Sequence, residues 1–216
     1  MNSTALGSMM GGVINKVRCG GKPMTAVVLA GGRGSRMKAD KSRLRVGGRT
    51  LLEHVLAQLG GRFDEVLVSV SAGQDVRLPA AVRARARFVE DEQPDLGPLG
   101  GILAALKAAK NEACAVVACD IPDVDLPLLR SLARAAGQAD IAVPVGPAGH
   151  YEPLFAVYRK SVVPEIEALL RTKERSVLPL YERCRTAVVG FRDPGRLRNL
   201  NTRADYEAYV RSAKFP

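Results

Sequence analysis

The sequence predicts a single three-layer α/β domain, with a mostly parallel β-sheet covered by helices on both faces. Apolar runs of strand length are uninterrupted, which is typical of strands buried on both sides. Amphipathic helical segments alternate with these runs, as they do in parallel sheets. The chain has 216 residues, of which 47% are hydrophobic, so it can bury one core of this size.

The predicted elements follow one another with short turns between them. Strands are predicted at residues 25–28, 65–70, 87–89, 113–118, 141–145, 152–158 and 186–189. Helices are predicted at about residues 51–59, 102–109, 126–136 and 162–171, with a last helix capped by residues 202–205. Thr50 and Glu53 form a capping box before the first helix. The glycine-rich residues 97–101 are expected to form a tight turn before the second helix.

The segment from Leu29 to Lys41 carries the strongest functional signal. It reads Leu-Ala-Gly-Gly-Arg-Gly-Ser-Arg-Met-Lys-Ala-Asp-Lys and directly follows an apolar run. Its glycines allow backbone N–H groups to approach an anion, and its arginines and lysines lie where a polyphosphate needs neutralising. The segment therefore predicts a phosphate-holding loop, against the alternative of an ordinary strand-to-helix turn with solvated charges.

Two better-known glycine motifs are excluded. A P-loop requires a second glycine five residues after the first, and that place is held by Arg36 or Met37. A dinucleotide-binding fingerprint that starts at Gly32 meets Met37 where its third glycine belongs.

The charge and hydropathy of the chain bound its partners. A formal net charge of +10 favours anionic partners such as phosphorylated metabolites. We expect no nucleic-acid partner, because the aromatic residues are scattered and form no basic-aromatic platform. No apolar run approaches 18 residues, so no membrane partner is expected either. Residues 1–23 lack an apolar signal region and are expected to be a disordered leader before a domain of residues 24–216.

The four cysteines show neither a Cys-x-x-Cys pair nor a metal-ligand spacing. Cys114 and Cys119 flank an apolar strand and are expected to be reduced thiols in the core. A cytoplasmic location is therefore expected.

Asp120 follows an apolar strand, at the edge where open α/β sheets bind ligands. A carboxylate there suits Mg²⁺, which binds one or two carboxylates together with substrate phosphates. The alternative is an ordinary turn residue. Asp123 and Asp125 compete as an Asp-x-Asp pair, although Asp125 is better explained as the N-cap of the next helix.

Two further polar segments have an open interpretation. Asp91 also follows a strand, where its carboxylate either accepts the paired N–H donors of guanine or is an acid at a helix entry. Asn199 and Asn201 alternate on an extended segment, so both amides share one face. They belong either to a polar site or to the turn before the last helix.

Taken in order, these segments resemble the molybdenum cofactor guanylyltransferase family, within the Rossmann-like nucleotidyltransferases. The resemblance covers about residues 25–209. It is carried by Leu-Ala-Gly-Gly-x-x-x-Arg-Met with Asp40-Lys41, Gly97-Pro-Leu-Gly-Gly-Ile, Cys119-Asp120-Ile-Pro, Glu152-Pro-Leu-Phe-Ala-Val-Tyr and Asn199-Leu-Asn-Thr. Their order and spacing are more specific than any one segment.

The resemblance implies a reaction and its participants. GMP is transferred from Mg-GTP to the terminal phosphate of molybdopterin, and pyrophosphate is released. GTP and molybdopterin are then the partners, with other molybdenum cofactor biosynthesis proteins beside them, and Mg²⁺ is the cofactor. The acceptor phosphate is already an anion, so no protein nucleophile is required.

The resemblance also implies roles for individual residues. Lys41, Arg36 and Asp120 are assigned to catalysis, and Asp120 to Mg²⁺. The nucleotide site consists of Leu29, Ala30, Gly31, Gly32, Lys41, Ser69, Asp91 and Asp120. Glu152, Asn199 and Asn201 are assigned to the pterin side.

Two positions depart from the family pattern. Lys38 stands where a glycine usually follows Arg-Met. Ser69 stands where an asparagine commonly ends the strand after the first helix. A serine keeps a hydroxyl but lacks the paired donor and acceptor of an amide, which weakens the expected contact with guanine or ribose.

Two rival functions stay open. The first is a cytidylyltransferase, or a sugar or alditol phosphate nucleotidyltransferase of the same fold. Leu-Ala-Gly-Gly rather than Leu-Ala-Ala-Gly favours the guanylyl side. The second is a non-catalytic nucleotide-sensing module, and the presence of both Lys41 and Asp120 argues against it.

Overall fold

The computed structural model describes residues 15–31, 44–74, 76, 78–91, 96–193 and 195–213. Within these residues the strands are β1 (Thr25–Leu29), β2 (Arg45–Val46), β3 (Arg49–Thr50), β4 (Glu65–Val70), β5 (Arg87–Glu90), β6 (Ala113–Ala118), β7 (Ile141–Val145), β8 (Phe155–Arg159) and β9 (Thr186–Gly190). The α-helices are α1 (Leu51–Leu59), α2 (Ala80–Arg83), α3 (Gly97–Ala108), α4 (Leu126–Ala135), α5 (Val163–Arg171), α6 (Leu180–Arg183) and α7 (Arg203–Ser212).

Seven of these strands form one sheet in the order β5-β4-β1-β6-β8-β7-β9. Neighbouring strands are parallel except at β8, which runs antiparallel to both β6 and β7. Because of this reversal, the residues just before β8 reach the edge where the other strands of the sheet end. Val117, near the end of β6, pairs with Phe155 at the start of β8.

Alternate side chains of the central strands face two separate cores, because successive residues of a strand point to opposite faces. On β1, Ala26 and Val28 pack into the core that includes residues of α1 and α4. Val27 and Leu29 pack into the core that includes residues of α3 and α5. Every residue of β1 and of β6 is buried. The predicted mostly parallel, three-layer fold is therefore confirmed.

Polar side chains begin three helices where the sequence predicts them. Thr50 and Glu53 exchange hydrogen bonds between side chain and backbone at the start of α1. Thr202 and Asp205 form the same capping box at α7. Asp125 accepts a backbone N–H of α4, which confirms its interpretation as an N-cap.

The glycine-rich residues 97–101 form the first turns of α3 rather than a turn before it, so that prediction is wrong. Pro98 lies in the first turn, where a helix requires no backbone N–H from it. Gly100 and Gly101 are buried, and a Cβ on Gly100 would lie 2.6 Å from Cβ of Leu96. Close packing here outweighs the low helix propensity of glycine.

Residues 15–23, expected in the disordered leader, contact the domain. Val17 is only 1% exposed, and its N–H donates to the carbonyl of Arg62. Lys16 forms an ion pair with Asp64, and Arg130 donates to the carbonyl of Asn15. Val17 is therefore packed against the core although it precedes residue 24, and the boundary between leader and domain stays a prediction. Residues 1–14 lie outside the described residues.

The sequence patterns predicted neither the short elements nor the start of one strand. The β2–β3 hairpin, α2 and α6 are each too short to show a periodicity. The strand predicted at 152–158 begins at Phe155, because Pro153 has no N–H to donate and the N–H of Glu152 donates to Pro144.

Two further features bear on the class of protein. Cys114 and Cys119 are buried as predicted, and burial raises the pKa of Cys114 to about 12. Among the helices of the described ranges, none combines the length and the apolar character needed to cross a membrane.

Candidate active site

Most of the described candidate residues meet at the carboxyl edge of the sheet, because parallel strands end at the same edge. They are contributed by the ends of β1, β4, β5 and β6 and by the loop before β8: Leu29, Ala30, Gly31, Ser69, Asp91, Asp120 and Glu152. Gly32, Arg36 and Lys41, together with Lys38, lie outside the described residues. Their roles stay predictions.

The chain that leaves β1 lies directly against the end of β4. The N–H groups of Ala30 and Gly31 both donate to the carbonyl of Ser69, at 2.8 and 3.1 Å. A Cβ on Gly31 would lie 2.9 Å from the backbone nitrogen of Ser71, so this close approach requires a glycine. The N–H of Gly31 is therefore engaged with the end of β4, and the assignment of Gly31 to the nucleotide site stays a prediction.

Ser69, which is buried, and Asp91, which is half-buried, form a polar pair. Ser69 is 2% exposed, and its Oγ donates to Oδ1 of Asp91 at 3.2 Å. Burial raises the pKa of the Asp91 carboxyl above its ordinary value, and the hydrogen bond from Ser69 partly opposes this rise. One carboxylate oxygen is oriented by the protein, and the carboxylate keeps further acceptor sites for paired N–H donors.

Gly101 allows α3 to pack against this pair. A Cβ on Gly101 would lie 2.9 Å from Oγ of Ser69, 3.2 Å from Cδ2 of Leu29 and 3.5 Å from Oδ1 of Asp91. The first of these separations is shorter than real Cβ contacts allow. Gly101 is thus a site residue that the sequence analysis treated only as part of a turn.

Asp120 lies two residues after β6, in the middle of the edge. Its carbonyl accepts the N–H of Leu200 at 2.9 Å, and its Oδ1 atom is buried. Among the described residues, no group of three or more His, Cys, Asp or Glu side chains is arranged to hold a metal ion. A single carboxylate completed by phosphate oxygens is nonetheless a donor set that Mg²⁺ accepts.

Glu152 and Asn199 form a second polar pair beyond Asp120. The amide nitrogen of Asn199 donates to Oε2 of Glu152 at 3.4 Å. Burial raises the pKa of Glu152, and the negative charge of Asp120 adds to the rise. The two carboxylates are therefore close enough to repel each other, and a cation or phosphate-bound metal near Asp120 would relieve that repulsion.

Asn201 has a different described contact. It is exposed, and its backbone N–H donates to Asp205 at the start of α7. The structure thus brings Glu152 and Asn199 together, whereas the assignment of Asn201 to the acceptor stays a prediction.

Gln74 joins the loops after β1 and β4, and no sequence pattern predicted this link. Its side-chain oxygen accepts the N–H of Ser71 at 3.1 Å, and its nitrogen donates to the carbonyl of Ala30 at 3.2 Å. An isolated glutamine in a loop gives no sequence signal, because its partners depend on which strands are neighbours.

Comparison with known proteins agrees with the family resemblance over most of the chain. Residues 26–186 match the family model described as a MobA-like NTP transferase domain. The molybdenum cofactor guanylyltransferase of Burkholderia ambifaria is 36% identical over 196 residues, which are 87% of this chain and 96% of that protein.

Solved structures share the fold. Molybdopterin-guanine dinucleotide biosynthesis protein A from Archaeoglobus fulgidus aligns with a TM-score of 0.69 and 27% identity, over 87% of this chain and 97% of that one. A 2-C-methyl-D-erythritol 4-phosphate cytidylyltransferase from Thermus thermophilus aligns with a TM-score of 0.66 and 20% identity, over 86% and 96% of the two chains. At that identity the second likeness concerns the fold alone.

Proposed function

Because the chain belongs to the MobA-like NTP transferase family, we propose that it transfers GMP from Mg-GTP to the terminal phosphate of molybdopterin and releases pyrophosphate. Family membership makes it a nucleotidyltransferase. The observation that supports the guanylyl assignment is the Ser69–Asp91 pair, which we place at the nucleotide.

The reaction exchanges one phosphorus–oxygen bond for another. An oxygen of the acceptor phosphate attacks the α-phosphorus of GTP, the bond to the bridging oxygen of the β-phosphate breaks, and pyrophosphate leaves with the electron pair. Alignment of donor and acceptor and neutralisation of charge are the main requirements. The described edge supplies the alignment by holding two polar pairs on either side of Asp120.

Asp91 would select the base. An ionised carboxylate accepts the N1 and N2 hydrogens of guanine, whereas cytosine and adenine present different edges. The bond from Ser69 fixes one oxygen of Asp91, so that the carboxylate is oriented before the nucleotide arrives. A wrong base would leave this half-buried carboxylate without its donors, which is the condition for strong discrimination.

Asp120 would hold the cofactor with the nucleotide phosphates. Nucleotidyltransferases typically use a divalent metal ion, and the single carboxylate available here is compatible with Mg²⁺. When bound, Mg²⁺ neutralises charge on the phosphates. Lys41 and Arg36 are proposed to add positive charge from the loop after β1.

Glu152, Asn199 and Asn201 would face the acceptor. The Glu152–Asn199 pair supports this for two of them, since the pair lies on the side of Asp120 away from Asp91. GTP and molybdopterin are the proposed partners, together with proteins that hand over the pterin. We infer a cytoplasmic location, which the buried thiols of Cys114 and Cys119 support.

Pyrophosphate release tests the proposal. The purified chain is assayed with GTP, CTP, ATP and UTP, each with and without molybdopterin. We expect pyrophosphate only with GTP and molybdopterin together. A preference for CTP would move the protein to the cytidylyl enzymes, and nucleotide binding without turnover for any pair would favour a sensing module.

A further inference from the structure

Tyr151 presents an exposed aromatic ring beside the acceptor end of the site. Among the aromatic side chains that the structure describes, only this one is exposed, at 39%. It directly precedes Glu152 in the loop that brings the chain from β7 back into β8. An exposed aromatic ring at a ligand edge offers a flat face on which a ligand ring can stack.

The backbone around Tyr151 is fixed on both sides. Tyr151 forms an isolated antiparallel bridge with Val145, at the end of β7. The N–H of Gly146 donates to the carbonyl of His150 at 3.0 Å, and the N–H of Glu152 donates to that of Pro144 at 3.0 Å. The ring is therefore carried by an anchored turn.

A second ring supports the first from behind. The centroid of Tyr181, on α6, lies 4.9 Å from that of Tyr151, with 55° between the ring planes. Burial raises the pKa of Tyr181 to about 12, so its hydroxyl is protonated at neutral pH. Glu152, the carboxylate assigned to the acceptor, directly follows Tyr151 in the chain, and its negative charge contributes to the raised pKa of Tyr181.

We propose that the exposed face of Tyr151, supported by Tyr181, stacks on the flat pyrimidine ring of the acceptor's pterin. This rests on the proposed function, and it adds a stacking surface to the polar groups already assigned to that side. A tyrosine ring and the pyrimidine ring of a pterin pack well because both present a flat π-face.

The order of strands argues that this ring belongs to the acceptor and not to the guanine. Asp91 follows β5, whereas Tyr151 pairs with Val145 on the side of β7 that faces β8, four strand spacings from β5. At about 4.8 Å per spacing the separation is about 19 Å, too far for one base to contact both residues. Asp120 follows β6, which is one spacing, about 5 Å, from the position of Tyr151 across the sheet, so an acceptor whose phosphate lies near Asp120 would have its ring within reach of Tyr151.

Steady-state kinetics separate stacking from a structural effect. Tyr151→Ala is expected to raise the KM for molybdopterin by about 5- to 100-fold, the usual range for loss of one stacking contact, with the KM for GTP unchanged. Tyr151→Phe keeps the ring and should stay within about twofold of the wild type. Val188→Ala, at a 53% exposed apolar residue of β9, is the matched control and should change neither KM. Thermal unfolding is measured for each variant to show that the fold is intact.

Direct binding makes the test independent of turnover. The probe is 6-hydroxymethylpterin, whose own fluorescence anisotropy reports binding in the absence of nucleotide. We expect Tyr151→Ala to weaken its binding by at least fivefold and Tyr151→Phe to preserve it.

The outcomes distinguish the two proposals. No pyrophosphate from wild-type protein with GTP and molybdopterin would refute the proposed function, and the binding titration would then decide the inference alone. An unchanged KM for molybdopterin in an active Tyr151→Ala enzyme would overturn the inference only. The inference would also be overturned if Tyr151→Ala and Tyr151→Phe weakened binding equally, or if the wild type did not bind 6-hydroxymethylpterin.

Discussion

Oγ of Ser69 donates to Oδ1 of Asp91 at 3.2 Å, and this bond joins the carboxyl ends of the adjacent parallel strands β4 and β5. It links the serine that stands where the resemblance implies an asparagine to the carboxylate proposed to select the base. Serine therefore has a specific task here, which is to orient Asp91 and to favour its ionised form.

The Ser69–Asp91 bond predicts a pH dependence. Burial raises the pKa of Asp91 and the Ser69 hydroxyl lowers it, so Ser69→Ala should raise that pKa further. Guanine needs the ionised carboxylate, so the KM for GTP should rise as pH falls through the pKa of Asp91, and this rise should begin at higher pH in the variant.

The raised pKa of Asp91 also makes the stability of the fold depend on pH. An acid with a lowered pKa stabilises the fold as pH rises, whereas Asp91 destabilises it. The pKa of Asp91 is higher in the folded than in the unfolded chain. Asp91 therefore opposes folding increasingly as pH rises from the ordinary aspartate pKa through the raised one, and Ser69→Ala should widen that pH range.

The kinetic effect is tested by measuring the KM for GTP against pH, with Ser131→Ala on α4 as control. Superimposable profiles for wild type and Ser69→Ala would refute the coupling.

Gly101→Ala should disturb the same pair from α3. The added Cβ would lie 2.9 Å from Oγ of Ser69, so the hydroxyl must turn away from Asp91. We expect the KM for GTP to rise about tenfold, the equivalent of about 1.4 kcal/mol, with the pH profile shifted as in Ser69→Ala. Gly190→Ala is the control, because its Cβ would meet nothing within 4 Å. A normal KM in Gly101→Ala would mean that α3 can move to accommodate a methyl group.

Asp120→Asn should abolish most turnover while leaving the fold intact. The amide keeps the size of the side chain but removes the charge proposed to hold Mg²⁺ with phosphate. Loss of one such electrostatic contact typically lowers kcat about 100-fold or more. The variant is compared by pyrophosphate release over a range of Mg²⁺ concentrations and by thermal unfolding. Asp193→Asn, in an exposed loop, is the control, and kcat near the wild-type value in Asp120→Asn would remove Asp120 from the metal site.

Lys41→Ala tests the loop after β1, although Lys41 lies outside the described residues. A lysine near a triphosphate acts as a point charge, so its removal should weaken GTP binding or slow transfer by about tenfold or more. Arg85→Ala, at an exposed arginine after α2, should have no such effect. Both variants are measured by GTP titration and by turnover. Equal losses in the two would indicate a diffuse attraction of basic charge rather than a site.

The main strands were predictable because burial on both faces produces uninterrupted apolar runs. The bounds of β4, β6 and β7 agree with the residues predicted from such runs. The start of α3 was not predictable, because three glycines in five residues argue locally against a helix. Gly100 and Gly101 are helical on account of what lies against them, namely Leu96, Ser69 and Leu29.

The candidate site was predictable as a set of strand ends but not as contacts. Asp91 and Asp120 could be placed at the ligand edge since each follows an apolar or partly buried strand. The Ser69–Asp91 bond spans 22 positions in the sequence and depends on the register of β4 against β5. The approach of Asn199 to Glu152 spans 47 positions and depends on the reversal of β8.

The reversal of β8 has an evolutionary consequence. β7 runs toward the carboxyl edge of the sheet, residues 146–154 turn the chain, and the antiparallel β8 runs back from that edge. This β7–β8 hairpin carries none of Ser69, Asp91 and Asp120. Insertions, deletions or substitutions at residues 146–154 can therefore accumulate without displacing the residues assigned to the nucleotide. A lineage with this architecture can retain its chemistry on the triphosphate while it recruits a different acceptor, which makes the fold a ready starting point for new transferases.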